Sequence, residues 1–209
     1  KYALTLAAGI NNNNFSLIKL HPTLDQSTRN MSVETMIMGA YKANDQRQYG
    51  YGFDSFRLWV AKKDSKKATA SFLDDINAET TNANFLRKCY WQLLSYIKHV
   101  NPALIPNMTG KQRSSLPFFD RFLLDHCDYF ILNMERSYNK MDLCKAHSLT
   151  MEFFKDLVTE TYLNSVTKRL IAYPKEHLHH LGVFRRLLEC LAVVAPMIPF
   201  SAMHALNKA

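Results

Sequence analysis

The spacing of apolar residues changes near residue 68 and predicts a mainly helical protein with a small α/β segment in front. Downstream of residue 68, apolar residues recur every three or four positions, as they do along the buried face of an α-helix. The pattern predicts long helices over residues 71–100, 117–138, 142–170 and 177–195, and a last short helix over residues 200–206. Four such helices with short connections form an antiparallel bundle.

Residues 1–67 follow a different pattern. Short apolar runs at residues 2–10 and 15–20 are typical of strands, and residues 33–41 are predicted to form one helix. Asp54 is predicted to cap the start of another short helix. The run from Lys62 to Lys67 is predicted to be an exposed basic linker. We therefore expect two units, residues 1–67 and residues 68–209.

The chain carries a net charge of +8, which favours anionic partners, RNA above all. A solvated basic surface without such a partner explains the charge equally well. No run of eighteen apolar residues occurs, so no membrane span is expected. The first residue is Lys rather than Met, so the sequence is expected to be a processed product or a piece of a longer chain.

Neither the cysteines nor the histidines have the spacing of a metal site. The four cysteines are far apart in apolar helical segments: Cys89, Cys127, Cys144 and Cys190. Buried free thiols in a reducing compartment are expected. His177, His179 and His180 are predicted to lie on a solvated helix start, because no Asp or Cys ligand accompanies them. No metal is expected.

Two segments separated by about twenty residues, residues 30–34 and residues 49–61, resemble the end of the catalytic domain of a class I aminoacyl-tRNA synthetase, isoleucyl-tRNA synthetase in particular. In that family a Lys-Met-Ser-Lys-Ser loop precedes a Tyr-Gly-Ala-Asp-x-x-Arg-Leu-Trp-Val-Ala segment. The second segment is matched here by residues 49–61, Tyr-Gly-Tyr-Gly-Phe-Asp-Ser-Phe-Arg-Leu-Trp-Val-Ala. The loop is matched by Asn30, Met31, Ser32, Val33 and Glu34.

Three downstream segments resemble the anticodon-binding domain of the same family. They are residues 116–124, with Leu-Pro-Phe-Phe-Asp-Arg-Phe-Leu-Leu, residues 162–173, which begin Tyr-Leu, and residues 191–200, which end Ala-Pro-Met-Ile-Pro-Phe. The resemblance implies an antiparallel helical bundle of the class Ia anticodon-binding type over residues 68–209. Residues 1–67 would be a degenerate α/β remnant of a Rossmann-like catalytic domain.

The resemblance also implies that the adenylation chemistry has been lost. In the family the two lysines of the loop stabilise the charge on departing pyrophosphate, whereas Asn30 and Val33 are uncharged. Nothing resembles the family's His-Ile-Gly-His signature. We expect a pseudoenzyme with no catalytic residue and no cofactor. The alternative is the C-terminal portion of an active isoleucyl-tRNA synthetase, which aminoacylates tRNA with ATP and binds the anticodon stem.

RNA contacts are predicted at two groups of cations. The candidates are Lys168, Arg169, Arg185 and Arg186 in the bundle, and Lys62, Lys63, Lys66 and Lys67 in the linker. Lys168 and Arg169 are equally suited to the C-terminal dipole of their helix, and the linker lysines to a solvated surface. Tyr90 and Trp91 either offer an exposed stacking ring or belong to the packing of the first long helix.

The aromatic residues of the bundle fall at helical spacing and are expected in its core. They are Phe119, Phe122, Phe130, Phe153 and Phe154. The function expected from the whole is structural: a translation-related subunit of a large ribonucleoprotein such as the mitochondrial ribosome. Its partners would be rRNA or tRNA and neighbouring proteins, in the mitochondrion or, alternatively, the cytoplasm. A scaffold that contacts only protein is a third possibility.

Overall fold

The computed structural model describes residues 33–41, 47–63, 72–97, 110–166 and 177–206, and these are mainly helical, as the apolar spacing predicts. The predicted strands at residues 2–10 and 15–20 lie outside the described residues. The elements, in chain order, are α1 (Val33–Met38), β1 (Gly39–Tyr41), β2 (Arg47–Tyr49), α2 (Phe53–Lys62), α3 (Phe72–Ile97), α4 (Gly110–Ser114), α5 (Phe118–Asn139), α6 (Leu143–Met151), a π-helix (Glu152–Leu163), α7 (His177–Val194) and α8 (Pro199–Leu206).

The long helices pack around one apolar core. Helix α7 contacts both α3 and α5, and α6 contacts α5 and runs directly into the π-helix. The deepest large side chains are Leu86, Leu93, Leu123, Phe154, Tyr162, Phe184 and Leu187. Each fully buried side chain of this size contributes about 1.5–3 kcal/mol to folding. Within the described residues, no helix is long and apolar enough to cross a membrane.

Cysteines and aromatic residues follow the predicted pattern with one exception each. Cys89, Cys127 and Cys190 are buried free thiols, whereas Cys144 is half-buried. Phe130, Phe153 and Phe154 stack in the core, and Phe119 packs against it. Phe122 was expected in the core but is 36% exposed. Phe122 lies on the same stripe of α5 as the exposed Phe118 and Tyr129.

The prediction that His180 lies on a solvated helix start is wrong. The residue is buried and not on a solvated face, with its Nδ1 atom 3.9 Å from the Oδ1 atom of Asp120. The reason is helical phase: His180 precedes Phe184 and Leu187 by four and seven residues, so all three share the core-facing side of α7. The side chains of His177 and His179 lie outside the described set.

Helix α2 shares the core of the long helices. Leu58 and Ala61 are buried in the same cluster as the residues of α3, α5 and α7. The N-cap position of α2 is Gly52, so the prediction that Asp54 caps its own helix is wrong. The Asp54 carboxylate instead accepts hydrogen bonds from the backbone N–H groups of Phe200 and Ser201, at the start of α8. Asp54 therefore caps a helix that lies far away in the sequence.

The first helix is shorter than predicted. It ends at Met38 rather than at residue 41, because Gly39 adopts a positive φ of 84° that interrupts the helix. Residues 39–41 instead form β1, which pairs antiparallel with β2; Gly39 lies opposite Tyr49 and Tyr41 opposite Arg47.

Gly50 lies where the chain leaves the hairpin and passes close to the end of α1. Tyr51 N donates to Met36 O at 2.9 Å and Gly52 N donates to Ile37 O at 3.1 Å. A Cβ atom at position 50 would lie 2.2 Å from Ile37 O, which is backbone and can move only with the whole turn.

Gly50→Ala is therefore expected to break the contact between residues 50–52 and α1, at a cost of about 1–3 kcal/mol in local stability. Gly110→Ala is the matched control, because nothing lies within 4 Å of the added methyl group. Hydrogen exchange of the Tyr51 and Gly52 amides measures the effect. Equal protection of these amides in the two variants would contradict the account.

Candidate nucleic-acid interface

The loop that resembles the Lys-Met-Ser-Lys-Ser signature lies at the edge of the described structure. Asn30, Met31 and Ser32 are outside the described residues. Val33 is the first residue of α1, and Glu34 follows in its first turn with an exposed side chain. An anionic side chain thus follows directly after Val33.

The linker lysines that the structure describes hold α2 against α3. The Nζ atom of Lys62 lies 3.1 Å from Oε1 of Glu79 and 3.7 Å from Oδ1 of Asp75. Lys63 forms an ion pair with Asp75, and its Nζ atom lies 5.6 Å from the ring centroid of Trp59. The prediction of an exposed basic linker is therefore wrong for Lys62 and Lys63. Lys66 and Lys67 lie outside the described residues.

The two arginines of α7 are also paired. Arg186 donates to Oδ1 of Asp128 at 2.6 Å, which joins α7 to α5, and it pairs with Glu189. Arg185 lies 3.8 Å from the same Glu189 and is largely exposed. Burial raises the pKa of Asp128, but hydrogen bonds from Arg113 and Arg186 outweigh burial and lower it. Lys168 and Arg169 lie outside the described residues.

Other cations remain available. Six exposed cations have no ion pair with another described residue: Arg87, Lys88, Arg121, Arg136, Lys140 and Lys145. None of the six is among the cations predicted from the sequence to contact RNA. A usable signal existed for the first two, because Arg87 and Lys88 precede Trp91 by four and three residues and so lie beside it on one side of a helix.

The side chain of Tyr90 is buried, whereas the side chain of Trp91 is exposed. Tyr90 is buried, and its hydroxyl donates to Leu191 O at 2.6 Å, which fixes the rotation of α3 against α7. The next side chain along a helix points about 100° away. Trp91 accordingly lies at the surface with 39% of its area exposed.

Trp91 is one wall of a shallow cleft between α3 and α8. The cleft has a volume of about 230 Å³ and is lined by Arg87, Trp91, Phe200, Ser201 and His204. The rings of Trp91 and His204 meet edge to face, with centroids 5.7 Å apart. Phe200, on α8, is 58% exposed. Aromatic surface and positive charge therefore lie together at one open site.

A chain of hydrogen bonds from Arg87 through Ser201 to Asp54 holds the lining of the cleft in position. Nε of Arg87 donates to Oγ of Ser201 at 3.3 Å, and Oγ of Ser201 donates to Oδ2 of Asp54 at 2.5 Å. The Ser201 hydroxyl is uncharged, and so is the second partner of Arg87, because Nη1 donates to the amide oxygen Oδ1 of Asn84 at 3.2 Å. The guanidinium is held in position without an ion pair to a described carboxylate.

The segments that carry the synthetase resemblance touch one another. Asp54 and Arg57, from residues 49–61, contact the end of residues 191–200: Asp54 caps α8, and Arg57 donates to Pro196 O. Asp120, from residues 116–124, accepts a hydrogen bond from the Tyr162 hydroxyl at 2.9 Å, deep in the core. Two polar side chains of residues 49–61 thus contact the backbone of residues 191–200, and residues 116–124 contact residues 162–173 through a buried hydrogen bond.

Comparison of the chain with protein-family models, with curated proteins and with solved structures finds no match.

Proposed function

We propose that this chain is a non-catalytic RNA-binding protein derived from an isoleucyl-tRNA synthetase and retained as a structural subunit of a large ribonucleoprotein. Residues 68–209 correspond in this proposal to the helical bundle of the anticodon-binding domain. Residues 1–67 correspond to the remnant of the catalytic domain. The mitochondrial ribosome is the assembly we propose, and a mitochondrial location follows from that choice alone.

The observation that carries the proposal is the contact between the resembling segments. A chance likeness of short motifs gives no reason for Asp54 and Arg57 to meet the Pro196–Ser201 turn, or for Asp120 to meet Tyr162. Buried carboxylates require partners, because an unpaired buried charge is costly. These motif residues therefore serve packing, and packing can outlast the loss of a reaction.

The absence of catalysis is supported by charge at the loop. Stabilising the pyrophosphate that leaves during adenylation requires fixed positive charge at the reacting phosphates. Asn30 and Val33 provide none, and Glu34 adds a negative charge in the first turn of α1.

Binding of RNA is supported by the exposed cations that form no ion pair with another described residue and by the aromatic cleft. Phosphate contacts from Lys and Arg supply most of the sequence-independent affinity for nucleic acid. Arg87 and Lys88 are exposed beside Trp91, so charge and ring surface occur at the same place. The net charge of +8 acts in the same direction.

A protein neighbour is supported by the outer face of α5. Phe118 is 74% exposed and Tyr129 is 64% exposed, and Phe122 and Leu132 lie on the same stripe. Contiguous exposed apolar surface of this kind usually marks a contact with another molecule. A subunit enclosed in a ribonucleoprotein would cover such a surface.

The affinity for a structured RNA, measured by fluorescence anisotropy at increasing salt, tests the RNA-binding half of the proposal. We expect the logarithm of the association constant to fall linearly with the logarithm of salt between about 50 and 200 mM, because bound phosphates release counterions. Assays of ATP–pyrophosphate exchange on the same sample should show none. Absence of salt-dependent RNA binding, or measurable exchange, would contradict the proposal.

A further inference from the structure

We infer that the cleft formed by Arg87, Trp91, Phe200, Ser201 and His204 binds one unstacked base of a single-stranded RNA segment, with an adjacent phosphate at Arg87 and Lys88. This inference rests on the proposed RNA-binding function and goes beyond it by naming the site and the form of the RNA.

The aromatic rings of the cleft indicate which part of the ligand enters it. Trp91 and Phe200 come from different helices, and both remain substantially exposed although they border the same cleft. Exposed aromatic rings in a basic groove bind bases by stacking, which accepts any base because each has a π-face. Bases within a duplex are already stacked on their neighbours, so the ligand is single-stranded.

Charge complementarity separates RNA from an apolar protein segment as the occupant. The Arg87 guanidinium is oriented by Ser201 and Asn84, neither of which cancels its charge. Lys88 is exposed on the next residue of α3. A purely apolar partner would bring these charges out of water without compensation, whereas a phosphate would pair with them.

The size of the cleft limits what enters it. Its volume of about 230 Å³ lies below the roughly 300–1,000 Å³ of sites that enclose a whole drug-sized ligand. One base therefore enters while its sugar and phosphate remain at the rim, near the two cations. The hydrogen bonds from Arg87 through Ser201 to Asp54 hold the rim in place before the ligand arrives, which reduces the ordering cost of binding.

Trp91 fluorescence provides a direct test. The chain has two tryptophans, so Trp59→Phe leaves Trp91 as the single reporter. Titration with a single-stranded RNA of about ten nucleotides should quench this emission, because the indole stacks on a base. The same sequence as a duplex should quench it much less. Unchanged emission at single-strand concentrations that saturate the anisotropy signal would overturn the inference.

Variants of Trp91 and Arg87 provide a second test of the cleft. Trp91→Ala is expected to weaken binding of the single strand by roughly 5- to 100-fold, and Trp91→Phe to restore most of it. Arg87→Gln should lower the salt slope by about 0.7. Tyr129→Ala is the control, since it removes an even more exposed ring from α5, outside the cleft. Circular dichroism confirms that each variant is folded.

The outcomes separate this inference from the proposed function. If RNA binds with the expected salt dependence but Trp91→Ala binds as tightly as Tyr129→Ala, the cleft is not the site, although the protein still binds RNA. If no RNA binds, both the inference and the proposed function are overturned. A loss of affinity confined to the Trp91 and Arg87 variants supports both.

Discussion

Asp54→Ala is expected to lower the free energy of unfolding by about 3–5 kcal/mol, a large share of the roughly 5–15 kcal/mol of a typical domain. The Asp54 carboxylate accepts hydrogen bonds from Phe200 N at 3.2 Å, from Ser201 N at 2.7 Å and from the Ser201 hydroxyl at 2.5 Å. Alanine would leave the two backbone donors at the start of α8 without their acceptor. It would also remove the carboxylate whose negative charge acts on the buried guanidinium of Arg57.

Urea unfolding followed by circular dichroism measures this loss. Ser201→Ala removes only one donor and should cost about 1 kcal/mol. Glu135→Ala removes an exposed carboxylate from α5 and should change stability by less than about 0.5 kcal/mol. If Asp54→Ala unfolds at the same urea concentration as Glu135→Ala, Asp54 does not attach α8 to α2.

The second large effect is expected at Glu79, where three helices meet. This fully buried carboxylate on α3 accepts from Nε2 of His147 on α6 at 2.8 Å and from Nδ2 of Asn82 at 2.9 Å. Lys62 of α2 completes the group. Burial raises the pKa of Glu79, but the hydrogen bonds from His147, Asn82 and Lys62 and the charge of His147 outweigh it and lower the pKa to about 2.

The sign of the pH dependence follows from this lowered pKa. Glu79 stabilises the fold above its ordinary pKa of 4.5, and the contribution disappears as the pH falls from 4.5 toward 2. At neutral pH it amounts to about 3 kcal/mol. Glu79→Gln should remove it, because an amide turns donor hydrogens toward Lys62 and His147 and cannot carry the charge that they compensate.

Urea titrations at a series of pH values test this prediction. Glu79→Gln should be less stable than the parent protein by about 2–4 kcal/mol at pH 7, and the gap should narrow steadily below pH 4.5. Glu160→Gln is the control, because Glu160 is an exposed carboxylate on the π-helix. A gap that stays constant down to the acid limit of folding would show that the ionisation of Glu79 is not the cause.

The long helices were predictable because local spacing determines them. Helix α3 was predicted over residues 71–100 and is described over Phe72–Ile97, and α7 was predicted over residues 177–195 and ends at Val194. Prediction from local spacing fails where a segment can form either a helix or a strand. Gly39 interrupts α1 and lets residues 39–41 join a strand, a choice that depends on pairing with Arg47–Tyr49.

The candidate site was much less predictable, because ion pairs depend on distant residues. Lys62 and Arg186 look like available cations in the sequence, but Glu79 and Asp128 neutralise them in the fold. Asp54 accepts a hydrogen bond from the backbone N–H of Phe200, which lies 146 residues further along the chain. Tyr90 and Trp91 together are a possible stacking ring in the sequence, but only Trp91 lies at the surface, and its cleft forms because α8 brings His204 alongside it.

Sedimentation of the natural protein from cell extract, with and without ribonuclease, tests the central claim most directly. The account predicts that the protein migrates with large ribonucleoprotein particles, moves to light fractions after ribonuclease treatment, and does not attach isoleucine to tRNA in any fraction. Migration as a free protein that is indifferent to ribonuclease and charges tRNA with isoleucine would contradict it.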